Sequence, residues 1–124
     1  MNNAREWRYL LNHTNPRFAS LCIDVDWVHQ GGQDPLVLLR EAGNRVTEIH
    51  VRNSKEKLWL ESVEDGDIDY RQIAAYFSKA GIYPLIVVEL AYRENTVVTR
   101  SLVDDLKRSR LYTENVFASL LNHV

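Results

Sequence analysis

Cysteine and long apolar segments are scarce in this sequence of 124 residues. Its single cysteine, Cys22, cannot form an internal disulfide, so the chain lacks the disulfide framework that small secreted proteins use. The apolar stretch "PLIVVELAY" is much shorter than the roughly 20 apolar residues that span a bilayer. No N-terminal stretch combines a basic start with an apolar run of signal-peptide length. We therefore expect a cytoplasmic protein that has no membrane partner.

An excess of positive charge is also missing. The chain carries 15 Lys and Arg residues against 17 Asp and Glu residues, which gives a formal net charge of −2. Binding to a nucleic-acid backbone depends on a basic surface, and the basic residues here do not collect into one tract, so we expect no nucleic-acid partner. The 45% hydrophobic and 26% charged residues are typical of a globular protein, and the length suits a single domain over residues 1–124.

Segments with strand character alternate with segments of helical character. Three short runs have the length and apolar content of buried strands: "FASLCIDV", "RVTEIHV" and "PLIVVEL". Apolar residues recur at helical spacing in segments 2–13, 34–43 and 69–81, and after the third strand in two patterns, Val98, Leu102 and Leu106, then Val116, Leu120 and Leu121. Such alternation predicts parallel strands joined by helical crossovers, which is the α/β class.

Local signals mark the ends of two helices and one long loop. Asp34 and Asp69 precede helical segments and can accept hydrogen bonds from the free N–H groups of the first turn. Pro35 suits the first helical position, and a glycine follows each of these helices. Residues 52–67 are mostly polar and long enough to form a functional loop, with a brief strand at Leu58 to Leu60.

Three residues that can bind a metal end the three predicted strands. Asp24, His50 and Glu89 each lie at or near a carboxyl end, and in a parallel sheet these ends share one edge, where α/β proteins bind ligands. Two carboxylates and an imidazole suit Mn²⁺, Zn²⁺, Fe²⁺, Co²⁺ or, less well, Mg²⁺. Cys22 lies in the middle of a strand, and we expect it to be a small core residue.

Each of these three residues also has a structural alternative. Asp24 can accept backbone hydrogen bonds and cap the following turn. His50 can be a hydrogen-bonded structural histidine. Glu89 follows "LIVV" directly, so we expect it to be largely buried, where it requires a cation, an arginine or a proton. Arg52 or Arg93 is the candidate arginine.

Three motifs occur in order between Leu21 and Tyr92. The first is an apolar strand that ends in Asp24, followed by Trp27 and the helix start "GQDP". The second is "HVRN" at a strand end, followed by "EDGDIDY" before a helix. The third is "GIYPLIVVEL", in which the strand ends at Glu89. Together they resemble the C-terminal part of the sugar phosphate isomerase/epimerase family, the xylose-isomerase-like TIM barrels.

The resemblance implies a divalent metal at the mouth of an eight-stranded barrel. Asp24, His50 and Glu89 match the family's metal-binding Asp, His and final Glu. Glu89 would also be catalytic, because this glutamate transfers a proton to or from the substrate through an enediolate. The substrate would be a sugar or sugar phosphate bordered by Trp27, Arg52 and Arg93.

This sequence also departs from the family pattern. Arg52 and Asn53 replace the usual Lys and Asp after the histidine, and Asp65 stands where the family loop often has glycine. The strand that carries the family's first metal-binding glutamate has no counterpart before Asp24. We therefore expect a partial (β/α) TIM-barrel fragment with about three parallel strands and flanking helices, which lacks one ligand and the partner base.

A sheet of three barrel strands leaves apolar edges open, and open edges favour pairing with other strands. We expect either a homo-oligomer or a separate chain that supplies the missing strands.

Two other functions remain open. The chain can be a non-catalytic α/β module for assembly or ligand binding, in which Glu89 pairs with an arginine. A nuclease of the same superfold is a minor alternative, since neither its further metal ligands nor a basic face is visible.

Overall fold

A computed structural model describes residues 4–122 of the chain. Within these residues the α-helices are α1 (Arg5–His13), α2 (Val25–Gln30), α3 (Pro35–Ala42), α4 (Tyr70–Ala80), α5 (Leu102–Val116) and α6 (Ala118–Leu121). The strands of the same residues are β1 (Leu21–Asp24), β2 (Val46–Val51), β3 (Ser54–Lys55), β4 (Leu58–Trp59) and β5 (Leu85–Val88). None of the described helices is long and apolar enough to cross a membrane.

The three strands predicted from the sequence form one parallel sheet in the order β1-β2-β5. Asp24 of β1 is opposite His50 of β2, and His50 is opposite Val87 of β5, so the carboxyl ends of the strands are level. Helices flank this sheet, which confirms the predicted α/β class and the partial TIM-barrel architecture. The predicted brief strand at Leu58 is also confirmed, because β4 pairs with β3 in an antiparallel hairpin.

One face of the sheet forms the core. Successive side chains of a strand point to opposite faces. On the central strand, Ile49 and Val51 are fully buried and pack in one apolar cluster with Leu39 of α3 and Phe77 of α4. Burial of this apolar surface is the main favourable contribution to folding, at roughly 25 cal/mol per Å².

The other face of the sheet is solvent-accessible, and we call it the open face. It carries Cys22, Glu48, His50, Leu85 and Val87, none of which is buried. Leu85 on the edge strand β5 has 61% of its surface exposed. The prediction that Cys22 is a core residue is wrong, because its side chain points to the open face rather than to the helices. Strands β1 and β5 are the outer strands of this sheet.

The two helices in the middle of the chain, α3 and α4, begin and end where their sequence signals predict. The Asp34 carboxylate accepts a hydrogen bond from the N–H of Leu36 at 2.8 Å and begins α3. Asp69 does the same for α4 through the N–H of Arg71 at 3.0 Å. Gly81 then ends α4 in the left-handed conformation, at φ 67°.

The predicted apolar face of the first C-terminal helix, with Val98, Leu102 and Leu106, is wrong. Val98 precedes α5 and lies in a loop, while Leu102 and Leu106 are exposed. The buried positions of α5 are polar: Asp105, Ser109 and Thr113. This polar face points inward, where it supplies hydrogen-bond partners to the backbone of the neighbouring loop. For example, the Val63 N–H donates a hydrogen bond to Ser109 Oγ at 2.8 Å.

Two leucine substitutions test the position of the core. Leu39 is completely buried in α3, whereas Leu111 in α5 has 67% of its surface exposed. We expect Leu39→Ala to lower the free energy of unfolding by about 2–5 kcal/mol, because it removes buried methyl groups and leaves a cavity. Leu111→Ala should change it by less than about 0.5 kcal/mol. Urea denaturation followed by circular dichroism measures both values, and equal effects would contradict this assignment of the core.

Candidate functional site

Asp24, His50 and Glu89 converge at one edge of the sheet. Asp24 is the last residue of β1, His50 is near the end of β2, and Glu89 follows β5 directly. One donor atom from each residue lies within 4.8 Å of the donor atoms of the other two. Residues that are remote in sequence are therefore brought within reach of a single ion by the parallel arrangement of the strands.

Asp24 has two structural partners at this position. Its Oδ1 accepts a hydrogen bond from the Trp27 N–H at 2.9 Å, so the carboxylate caps α2, a short helix that the sequence analysis did not predict. Its Oδ2 accepts a hydrogen bond from the Arg52 guanidinium. The capping alternative considered for Asp24 is thus present in the structure, together with an ion pair.

Arg52 is the most enclosed charged group of the site, with only 3% of its surface exposed. Besides its bond to Asp24, its Nη2 atom lies 3.9 Å from Glu89 Oε1. Its guanidinium lies 4.5 Å from the ring centroid of Trp59 and 5.5 Å from that of Trp27. Cation–π contacts of this kind stabilise a desolvated guanidinium. A buried positive charge therefore adjoins two carboxylates of the predicted metal site.

Arg93 and Trp27 lie beside the same cluster. The Arg93 guanidinium is 4.1 Å from the Trp59 ring centroid and 5.7 Å from that of Trp27. The two indoles meet edge to face, with centroids 5.3 Å apart. The three predicted substrate-bordering residues, Trp27, Arg52 and Arg93, are thus brought together around Trp59. Sequence analysis missed Trp59, although its place within "LWL" in a polar loop was an available signal.

His50 lies between two carboxylates. Its Nδ1 atom makes a short hydrogen bond to Glu89 Oε2, and its Nε2 atom lies 2.8 Å from Glu48 Oε1. The hydrogen bond to Glu48, followed by the one to Glu89, raises the pKa of His50 above its ordinary value of 6.5. The hydrogen bond to His50, followed by that to Cys22, lowers the pKa of Glu48. Sequence analysis missed Glu48 as a member of this cluster.

Glu89 is not buried as predicted. Its side chain has 43% of its surface exposed, because β5 is an edge strand and residues 4–122 do not cover the open face. Its partners are His50 and, at longer distance, Arg52. The expectation that Glu89 lies near a cation or an arginine holds, whereas the inference of burial from the preceding "LIVV" is wrong.

The loop that carries Trp59 is held by a buried amide. Asn53 Nδ2 donates to the carbonyl oxygens of Glu64 and Ile68, both at 2.9 Å. Asn53 Oδ1 accepts hydrogen bonds from the N–H groups of Ser54 and Ile68. Gly66 packs closely against this amide and the Ser54 carbonyl. An uncharged Asn suits this position because all four hydrogen bonds are formed with backbone groups.

Comparison with known proteins identifies the architecture. No family model matches the sequence, and no curated protein matches it. The chain is similar to the crystal structure of a sugar phosphate isomerase/epimerase from Parabacteroides distasonis, with a TM-score of 0.68 and 21% sequence identity. The match covers 91% of this chain and 36% of that protein, so the chain spans about a third of its length. The similarity therefore establishes the fold.

The hydrogen bonds of His50 can be tested by titration. In metal-free protein, we expect the His50 ring to titrate above 6.5, because both carboxylates stabilise the imidazolium. Glu48→Gln and Glu89→Gln should each lower this pKa. Protonated His50 then stabilises the folded chain below pH 6.5, and this contribution disappears as the pH rises through the raised folded-state pKa. NMR titration of the ring protons measures these values, and a pKa at or below 6.5 would contradict the assigned hydrogen bonds.

The packing of Gly66 gives a second test. A Cβ atom at this position would overlap the Ser54 carbonyl oxygen and lie 2.9 Å from Asn53 Cγ, so the backbone has to move. We expect Gly66→Ala to lower the free energy of unfolding by about 1–3 kcal/mol, as overpacking does. The matched control is Gly31→Ala, whose nearest contact is the Trp27 carbonyl oxygen at 3.3 Å. Thermal denaturation of both variants distinguishes them, and a fully stable Gly66→Ala variant would argue against the loop packing.

Proposed function

We propose that this chain is part of a metal-dependent sugar or sugar phosphate isomerase/epimerase that acts by proton transfer through an enediolate. The convergence of Asp24, His50 and Glu89 donor atoms within 4.8 Å of one another is the observation that carries this proposal. The similarity in fold to a sugar phosphate isomerase/epimerase supports it. In this proposal the chain corresponds to the C-terminal part of the barrel and works in the cytoplasm.

The donor set fits a divalent cation. Two carboxylate oxygens and one imidazole nitrogen suit Mn²⁺, Zn²⁺, Co²⁺ or Mg²⁺, and three protein ligands leave positions for substrate oxygens. Binding requires that His50 lose its ring proton and that Arg52 leave Asp24 Oδ2. Because the first change releases a proton, metal affinity should fall with decreasing pH, whereas displacement of the arginine guanidinium adds a cost that does not depend on pH in this range.

The residues of the chain have separate roles in this reaction. The metal would offset negative charge on two substrate oxygens. Glu89 would move a proton between the solvent-exposed site and a substrate carbon, since its half-exposed carboxylate is accessible from the open face. Arg52 and Arg93 would bind an anionic group of the sugar, and the exposed indole of Trp27 would pack against its carbon skeleton.

A second chain would complete the site. A full barrel buries the inner face of its strands, whereas Leu85 and the neighbouring open-face residues are accessible here. We propose that a homo-oligomer or a separate chain supplies the remaining strands, together with a further glutamate. Light scattering of the purified chain separates the two sources: a homo-oligomer gives a mass above that of one 14.4 kDa chain, whereas the mass of a single chain leaves a separate chain as the source of the strands.

One observation favours a second candidate, a non-catalytic module for assembly or ligand binding. The Arg52 guanidinium already pairs with Asp24 and lies 3.9 Å from Glu89 Oε1. A buried arginine can balance two carboxylates without any metal. In that case, Arg52 is the permanent cation of the site.

Metal titration separates the two candidates. We expect the metal-stripped chain to bind Mn²⁺, with the free ion measured by electron paramagnetic resonance. Asp24→Asn and Glu89→Gln should each weaken binding by about tenfold or more, since even outer ligand partners contribute 10–100-fold. Arg52→Met should not weaken Mn²⁺ binding, because it removes a competitor for Asp24. The control is Glu114→Gln, which alters an exposed acid paired with Arg110 on α5.

Proton exchange tests the chemistry itself. With Mn²⁺ and a ketose phosphate in D₂O, we expect deuterium to enter the carbon next to the carbonyl, and Glu89→Gln to abolish this exchange. Absence of Mn²⁺ uptake, or equal uptake by wild type and Glu89→Gln, would overturn the metal-dependent proposal and favour the module. If an assembled oligomer binds Mn²⁺ but shows no deuterium exchange, the isomerase chemistry is refuted and the metal site is not.

A further inference from the structure

We call the cluster of Asp24, His50 and Glu89 the edge site. A second cluster of side chains that can bind a metal lies beside it on the open face of the sheet. We call Cys22, Glu48 and His50 the thiol cluster. Cys22 of β1 lies opposite Glu48 of β2, and His50 follows Glu48 by two residues, so all three side chains point to the same face. The Cys22 Sγ atom is 3.3 Å from Glu48 Oε1, and His50 Nε2 is 2.8 Å from the same oxygen. The donor atoms all lie within 4.8 Å of one another.

The chemistry of these donors differs from that of the edge site. Sulfur, imidazole nitrogen and carboxylate oxygen together are a ligand set of zinc, whereas Mg²⁺ and Mn²⁺ prefer oxygen. A Cys, His and Glu set leaves a fourth tetrahedral position for water. The open face admits this ligand, because Cys22 is exposed and the side chains of His50 and Glu48 are 26% and 34% exposed.

The charges around the thiol cluster differ from those of the edge site. Glu48 forms its ion pair with His50, within the part of the chain that the structure describes. Asp24 in the edge site, by contrast, is paired with the buried Arg52. A cation that enters the thiol cluster therefore does not have to displace a guanidinium. Cys22 and Glu48 are direct partners across β1 and β2 after a register shift between Leu21 and Cys22, so the sheet holds the backbone of all three ligands and little ordering is required on binding.

We propose that Cys22 Sγ, a Glu48 carboxylate oxygen and His50 Nε2 form a zinc site on the open face of the sheet. Binding replaces the thiol proton, and the imidazolium proton where His50 is charged, by Zn²⁺ and releases these protons to solvent. His50 is shared between the two sites, with Nε2 facing Glu48 and Nδ1 facing Glu89. This zinc site does not depend on the proposed isomerase function.

Cobalt is a suitable spectroscopic probe, because Co²⁺ takes zinc sites and gives a near-ultraviolet charge-transfer band when a thiolate binds it. We expect the full chain, kept reduced with a non-chelating phosphine, to develop this band with one equivalent of Co²⁺ and to lose it when Zn²⁺ is added. Cys22→Ser should abolish the band. Glu48→Gln should weaken Co²⁺ binding by about tenfold or more.

The matched control is a variant of the edge site. Asp24→Asn should keep the thiolate band, although it is expected to weaken Mn²⁺ binding, so failure of one site is distinguished from failure of the other. Circular dichroism confirms that each variant is folded. The zinc site is refuted if wild type gives no thiolate band, if Glu48→Gln binds Co²⁺ as wild type does, or if Asp24→Asn abolishes the band.

Discussion

The alternation of side chains along the central strand β2 controls both the stability and the chemistry of this protein. Ile49 and Val51 point into the apolar core, while Glu48 and His50 point to the open face. Parallel pairing with β1 and β5 on either side then brings residues from three distant segments to one edge. A register shift of one residue would reverse every side chain, so the buried apolar residues also fix the position of the candidate ligands.

His50 connects the electrostatics of the two candidate sites. Each ring nitrogen faces a different carboxylate, Glu89 at the edge and Glu48 on the open face. These carboxylates favour the imidazolium, which is the form that cannot bind a metal. Arg52 opposes a metal in a different way, because it occupies one oxygen of Asp24. A proton on His50, the guanidinium of Arg52 and a divalent cation therefore compete for the same group of carboxylates.

The loop after β2 supplies the rest of the candidate site. Asn53 fixes its path through four hydrogen bonds to backbone groups, and the β3–β4 hairpin then positions Trp59. The guanidinium groups of Arg52 and Arg93 both pack against the ring of Trp59, which contacts Trp27 edge to face. This hydrogen-bonded loop thus places two positive charges next to the carboxyl ends of the strands, where α/β barrels bind their ligands.

The sequence by itself determined the local elements and the residues that end the strands. Capping by Asp34 and Asp69 depends on groups within a few residues, and so does the strand character of the run before Glu89. Only the tertiary structure decided that Cys22 and Glu89 are accessible, that the buried face of α5 is polar, and that Arg52 pairs with Asp24. The physical reason is that burial and charge pairing depend on which distant segment covers a face, and periodicity along the chain carries no information about that partner.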